Sequence, residues 1–282
     1  QGFDFVSPYY VRHKYDGTIT NNIARALTQA LYGKRIRQPI GGDFGFSRNL
    51  VERFTKEDVW ETDVARYGID IWMTTIAICE GFRVCEAFMG AKVHDPKDPS
   101  ASLGPMWRQV VGTLFGAMSR YEQVWKKVVG SEAVPLLGEV KALEPEPVQV
   151  DHARLVNNFR EGLGHFGALW REVVSPESFA ALQDLAKEPV ERFHFPIELW
   201  VRVVYDFAYT FQRWSKDRYK LVDLMTPLYY GRIAGFITDA AEMTTEQADE
   251  IVDLQAQRFE DMKPYFLSRF ERWEGQAAPV DA

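Results

Sequence analysis

The sequence predicts an α/β unit with few strands, followed by a mainly α-helical region. Extended runs rich in aromatic and β-branched residues, which favour strands, occur within the first hundred residues. After Pro105 the apolar residues recur with helical spacing almost throughout. The 282 residues are 46% hydrophobic and 14% aromatic, and no apolar run is long enough to span a bilayer, as expected of a soluble globular chain.

The first predicted element is a strand at residues 3–11, with the sequence FDFVSPYYV. A helix over 19–31 follows, with Thr18 or Thr20 near its start and a glycine near its end. Residues 38–46 are too rich in glycine for a helix, so they predict a loop with a short strand.

A second helix is predicted over 58–81, with a break near Gly68. Residues 82–90 alternate between apolar and polar side chains, which is the pattern of a half-buried strand. The stretch 93–105 is rich in turn-forming residues and predicts a loop.

The rest of the chain is predicted as helices, interrupted at 131–149 by a segment rich in proline and glutamate. The predicted helices lie near 106–129, 151–173, 176–187, 196–216, 218–239 and 244–273. This pattern divides the chain into an α/β part at 1–115 and a helical extension at 116–282. Because a sheet with few short strands leaves its edges unpaired, either other residues complete the sheet or the helices cover it, and we favour completion by other residues.

The charge and the cysteine count exclude several classes of function. The net charge of −7 argues against binding to nucleic acid, which needs a basic face. The two cysteines, Cys79 and Cys85, are too few for a disulfide framework or a zinc site, so reduced thiols in the cytoplasm are expected.

Two groups of polar residues near the start of the chain are candidates for ligand binding. Residues 12–16, RHKYD, directly follow the first strand and offer cationic donors, although a solvated charged turn would have the same sequence. The adjacent Gly41 and Gly42, followed by Asp43, let the backbone approach a ligand closely, although an ordinary tight turn needs no more than this.

Two further candidates lie beside the later elements. Asp70 follows Tyr67 and Gly68 before an apolar helix, where it is either an N-terminal cap or a carboxylate able to orient a hydroxyl. His94 opens a proline-rich loop that also contains Lys97, and it is either a structural histidine or a ligand for a divalent ion.

Taken in order, these groups resemble the acceptor half of a retaining glycosyltransferase with the GT-A fold, of the kind seen in mannosylglycerate synthase and glucosyl-3-phosphoglycerate synthase. The resemblance is carried by residues 11–13 (VRH), 38–43 (QPIGGD), 67–70 (YGID) and 90–94 (GAKVH). It covers about the first 115 residues, and the helical remainder is similar only in character.

The resemblance implies a role for each matching residue. His94 matches a histidine that helps to hold Mg²⁺ or Mn²⁺ against the donor diphosphate, where the metal acts as a Lewis acid. Asp70 matches the aspartate beside the transferred sugar and the acceptor hydroxyl. The turn of Gly41 and Gly42, with Asp43 beside it, matches the loop that approaches the sugar.

The remaining matches concern the acidic groups of the substrates. Arg12, with Thr18 or Thr20, lies where such enzymes bind an acidic acceptor. Lys97 and Arg108 are assigned to the diphosphate, although the loop after His94 departs from the pattern of the family.

Enzymes of this type begin with a nucleotide-binding region that ends in an Asp-x-Asp motif, and no such motif occurs in the opening residues. The expectation is therefore that this chain lacks the nucleotide-binding half, which would also complete the sheet, and is inactive alone.

The predicted function is transfer of a hexose from a nucleotide-diphosphate sugar to a small acceptor such as glycerate or a phosphoglycerate derivative. The alternative is a non-catalytic helical interaction module in which Asp70 and His94 are structural. A homo-oligomer is expected in either case. Most of the aromatic residues of the helices near 196–216 are expected in the core.

Overall fold

The computed structural model describes residues 2–93 and 103–274, and it has the mixed α/β composition that the sequence predicts. The strands are β1 (Phe5–Val11), β2 (Lys34–Arg35), β3 (Gly45–Phe46), β4 (Val84–Ala91), β5 (Glu132–Ala133) and β6 (Leu136–Leu137). The helices of the first part are α1 (Arg25–Tyr32), α2 (Arg48–Phe54), α3 (Ile69–Cys79), α4 (Gly104–Arg120) and α5 (Glu122–Trp125). The later helices are α6 (His152–Val173), α7 (Pro176–Leu185), α8 (Ile197–Arg213), α9 (Arg218–Ala240), α10 (Thr245–Asp261) and α11 (Lys263–Glu274). None of the described helices is long and apolar enough to cross a membrane.

The main sheet has the strand order β3-β1-β4-β6. Strands β1 and β4 are parallel and pair from Phe5 with Val84 to Val11 with Ala91, whereas β3 runs antiparallel to β1. Because β1 and β4 are parallel, the residues that follow them leave the sheet at the same edge. This edge therefore carries Arg12 after β1 and Lys92 after β4.

One hydrophobic core joins the two parts of the chain. Its buried residues include Ile23, Leu27 and Leu31 from the first part, and they pack in the same cluster as Trp107 and Trp200. A second, smaller cluster lies between the sheet and α2 and α3. As predicted, most of the aromatic residues of α8 are in the core: Trp200, Tyr205, Phe207 and Phe211 are buried.

The structure confirms the strands predicted at 3–11 and 82–90, and it confirms four of the later helices within a few residues. The predicted helix at 58–81 is wrong in its first half, because α3 begins only at Ile69 after a short 3-10 turn. The predicted helix at 244–273 is divided at Met262. Pro264 lies just beyond this break, and a proline has no N–H to continue the hydrogen-bond ladder.

The helix predicted at 19–31 has the expected extent but begins differently. Its first turn, Thr20–Ala24, is a π-helix, and α1 then ends at Gly33 with a left-handed φ of 68°. Turns of this kind are often found at functional sites. Helix α2 was not predicted, although Ser47 caps it by accepting a hydrogen bond from the amide of Leu50.

Candidate functional site

A cavity of about 360 Å³ opens at the edge of the sheet where β1 ends. The predicted site residues that line it are Arg12, Thr18, Thr20, Gly41, Gly42 and Asp70. These residues come from three separate segments of the chain: the loop after β1, the loop between β2 and β3, and the first turn of α3.

The loop of residues 38–43 is fastened to the sheet by hydrogen bonds to its neighbours. Gln38 accepts a hydrogen bond on its carbonyl oxygen from Ser7 Oγ at 2.8 Å, and its side chain donates to the carbonyl of Tyr10 at 2.6 Å. Thr74 Oγ1 donates to the carbonyl of Pro39 at 2.8 Å. The loop that reaches the cavity is therefore hydrogen-bonded to β1 on one side and to α3 on the other.

The two glycines of this loop are there for different physical reasons. A Cβ on Gly41 would lie 2.3 Å from Cγ of Pro8, so no larger residue fits against β1. Gly42 has a φ of +83°, in the left-handed region that glycine adopts most easily. This conformation directs the amide of Gly42 to Asp70, whose Oδ2 accepts its hydrogen bond at 2.8 Å.

Asp70 is a carboxylate of the cavity and does not cap α3. The N-cap position is Gly68, which has no side-chain cap, and Asp70 lies in the first turn of the helix. Burial raises the pKa of Asp70 above its usual value, and the amide hydrogen bonds from Gly42 and Gly41 oppose this shift. A carboxylate with this environment can accept a proton from a hydroxyl or orient it.

Arg12 and Thr18 form the wall that belongs to the loop after β1. The guanidinium of Arg12 lies 3.6 Å from the carboxylate of Asp16. The hydroxyls of Thr18 and Tyr229 are 2.6 Å apart, and the ring of Tyr229 stacks on that of Trp107 at 4.0 Å between centroids. The position of Thr18 is thus set by buried residues of the helical part.

Asp43 does not line the cavity, and its carboxylate is held by two partners. Lys92 Nζ donates to Asp43 at 2.7 Å and Tyr10 donates its hydroxyl proton to the same oxygen at 2.9 Å. The hydrogen bond from Lys92 is the main reason that the pKa of Asp43 is lowered. Lys92 also lines the cavity. Sequence reasoning missed it, although it directly follows β4 just as Arg12 follows β1.

The other predicted residues do not join this cavity. Arg108 lies in a neighbouring cleft, 3.6 Å from Asp223 and over the ring of Tyr219. His94 and Lys97 are outside the described residues, so the predicted metal ligand cannot be placed. Within residues 2–93 and 103–274, no group of three or more His, Cys, Asp or Glu side chains is arranged to hold a metal ion.

A larger cavity, of about 780 Å³, lies on the other side of Arg12. Its arginines already have carboxylate partners: Arg37 donates to the buried Glu86 at 2.7 Å, and Arg25 pairs with Asp253 and lies 3.9 Å from Asp249. The sequence pattern did not indicate this cavity, because residues from distant segments of the chain form it.

Comparison of the chain with protein-family models gives no match. Comparison with curated protein sequences gives no significant match either.

Proposed function

We propose that this chain is the acceptor-binding part of a glycosyltransferase that moves a hexose from a nucleotide-diphosphate sugar to a small hydroxy acid. The observation that carries the proposal is the cavity beside Asp70. Six of the site residues expected from the sequence, spread over residues 12–70, line that one cavity of about 360 Å³.

The volume and the chemistry of the cavity suit an acceptor of this size. A pocket that holds a small ligand is commonly about 300–1,000 Å³ and combines apolar walls with a few converging polar groups. Here the walls include Ile69, Met106 and Val110, and the polar groups are those of Asp70, Arg12 and the two threonines.

In the proposed reaction Asp70 holds the acceptor hydroxyl. Its carboxylate lines the cavity and is oriented by the amide of Gly42, which donates to Oδ2 at 2.8 Å. Its raised pKa makes it a better proton acceptor than an ordinary aspartate once it is ionised. Arg12 and Thr18 provide donors for the carboxylate of the acceptor.

The proposal retains Mg²⁺ or Mn²⁺ as the cofactor, with His94 as a protein ligand. When bound, such an ion neutralises the negative charge that develops on the departing diphosphate.

A cytoplasmic location and a homo-oligomer remain part of the proposal. The two cysteines of the chain are free thiols, as expected in a reducing compartment.

Transfer by the complete gene product tests this function. The protein is incubated with nucleotide-diphosphate hexoses, glycerate or phosphoglycerate, and Mn²⁺, and the product is identified by mass spectrometry and NMR, which also gives the anomeric configuration. We expect Asp70→Asn to reduce the transfer rate by about 10²–10⁴-fold, the usual contribution of a general base.

The matched control is Asp184→Asn, which changes an exposed aspartate whose carboxylate pairs with Lys187. It should leave the transfer rate unchanged. Equal rates for the wild type and Asp70→Asn, or no transfer from any donor, would overturn the proposal.

A further inference from the structure

Arg66 is a cation at the mouth of the Asp70 cavity that the sequence did not single out. It lines both this cavity and the neighbouring cleft of Arg108, so its side chain lies where the two meet. It is exposed.

The other cations around these two cavities are already engaged by carboxylates. Lys92 donates to Asp43 at 2.7 Å, Arg12 lies 3.6 Å from Asp16, and Arg108 lies 3.6 Å from Asp223. By contrast, the side chain of Arg66 has no hydrogen bond or ion pair with any residue in the described part of the chain.

Asp63, the acidic residue nearest to Arg66 in the sequence, forms no ion pair with the Arg66 guanidinium. Asp63 lines the same cleft as Arg66 and lies beside Tyr219, whose pKa is raised by burial and by the charge of Asp63. Arg66 therefore keeps its full set of guanidinium donors for a ligand.

The backbone that carries Arg66 is held firmly against α4. The amide of Tyr67 donates to Oε1 of Gln109 at 3.2 Å, and the amide of Gly68 donates to the carbonyl of Asp63 at 3.2 Å. A Cβ on Gly68 would lie 2.2 Å from Oγ1 of Thr113, so the turn and α4 are in close contact. Arg66 and Asp70 thus sit four residues apart on one fixed turn.

We propose that Arg66 binds an anionic group of the acceptor, a carboxylate or a phosphate, at the end away from the hydroxyl that Asp70 holds. A planar guanidinium binds both groups through two parallel hydrogen bonds. This inference rests on the proposed function for the identity of the acceptor, and it adds Arg66 to Arg12 as a residue that selects acidic over neutral acceptors.

Binding of acceptor probes in the absence of donor tests the inference separately from transfer. Isothermal titration of the complete gene product is carried out with glycerate, glycerol 3-phosphate and neutral glycerol. We expect Arg66→Gln to weaken binding of at least one of the two acids by about 10-fold, since a hydrogen bond to a charged group contributes that much. Glycerol binding should not change.

The two acids identify the group that Arg66 contacts. A loss limited to glycerate indicates a carboxylate, a loss limited to glycerol 3-phosphate indicates a phosphate, and Arg66→Lys should recover part of the affinity because it keeps the charge. The control Arg48→Gln changes an arginine that is 90% exposed on α2 and pairs with Glu52, and it should have no effect.

Equal affinities of the wild type and a folded Arg66→Gln for both acids would overturn the inference, as would a wild type that binds neither acid. Neither result would contradict the transfer reaction, whose test depends on Asp70 and measures product.

Discussion

At the scale of single residues, the buried charge of Asp70 in the candidate site lowers the stability of the folded protein. Its carboxylate is largely surrounded by protein, and burial raises its pKa above the ordinary aspartate value of 3.8. A folded pKa above the unfolded one means that the folded state binds the proton more tightly. The contribution of Asp70 to the free energy of unfolding is therefore largest below the pKa of the unfolded state. It decreases as the pH rises through the pKa of the folded state.

We therefore predict that Asp70→Asn stabilises the protein near neutral pH. Asparagine keeps an oxygen that can accept the hydrogen bond from Gly42, but it has no charge to bury. The melting temperatures of the wild type and the variant should differ at pH 7 and converge below pH 3.8, the ordinary aspartate pKa. A variant that melts below the wild type at pH 7 would contradict this account of Asp70.

The glycines beside Asp70 lead to a second prediction at the residue scale. Gly41→Ala places a Cβ 2.3 Å from Pro8, and such overpacking costs about 1–3 kcal/mol of stability. Gly42→Ala forces an L-residue to a φ of +83°, which costs about 1–2 kcal/mol. Both changes should also weaken acceptor binding, because they displace the loop that orients Asp70. Urea denaturation measures the first effect and titration with glycerate measures the second.

Gly164→Ala is the matched control for these two variants. Gly164 lies inside α6, has open space around an added Cβ and has no positive φ. Alanine there should stabilise the helix by about 0.5–1 kcal/mol. If Gly41→Ala were as stable as the wild type, the loop would not be in the close contact with β1 that we describe.

At the scale of elements, Lys14 attaches the loop after β1 to the end of a helix in the helical part. Lys14 Nζ donates to the carbonyls of Ala240 at 2.7 Å, Ala241 at 3.0 Å and Met243 at 2.7 Å, all at the C-terminal end of α9. A cation here satisfies carbonyls that the helix leaves unpaired and interacts favourably with the helix dipole.

We therefore predict that Lys14→Met loses about 2 kcal/mol of stability, the usual contribution of a hydrogen-bonded charge at a helix end. Since the same loop carries Arg12 and leads to Thr18, binding of glycerate should also weaken. Thermal unfolding and titration measure the two effects. The control Lys187→Met removes a lysine that is 75% exposed and pairs with Asp184, so both values should stay near those of the wild type.

The elements that the sequence predicted well are those with a long regular pattern. Strand β1 is a run rich in aromatic and β-branched residues and helices α6 to α9 are long, so their limits could be read within a few residues. The two-residue strands β5 and β6 could not be predicted, because each exists only through pairing with distant strands, β2 and β4. Helix α2 was missed because its seven residues give too short a pattern.

The same distinction applies to the candidate site. Asp70, Gly41 and Arg12 could be proposed as candidates because they belong to short ordered motifs, and the three line one cavity. Arg108 was assigned to the same site from its position in sequence, but the side of α4 on which it lies puts it in the next cleft. The positions of Lys92 and Arg66 in the lining of this cavity could not be predicted, because they depend on how the end of a strand and a turn meet in three dimensions.

At the scale of the whole molecule, one hydrophobic core contains residues from both sides of the boundary predicted between residues 115 and 116. That boundary falls within α4, and Phe115 is only 1% exposed. The main hydrophobic cluster includes Leu27 of α1 and Val204 of α8 together. Because the helices of both parts share this cluster, neither part can lose its packing without exposing the other.

We therefore predict a single cooperative unfolding transition for this chain. Leu27→Ala and Val204→Ala, one in each part, should each lower the midpoint of the whole transition, with a loss of about 2–5 kcal/mol for the leucine. Circular dichroism and tryptophan fluorescence should give coincident curves for both variants. Leu169→Ala is the control, since this leucine is 40% exposed and its removal should shift the midpoint little. Two separate transitions, with each variant moving only one of them, would show instead that the helical part folds independently of the site that its residue Tyr229 supports.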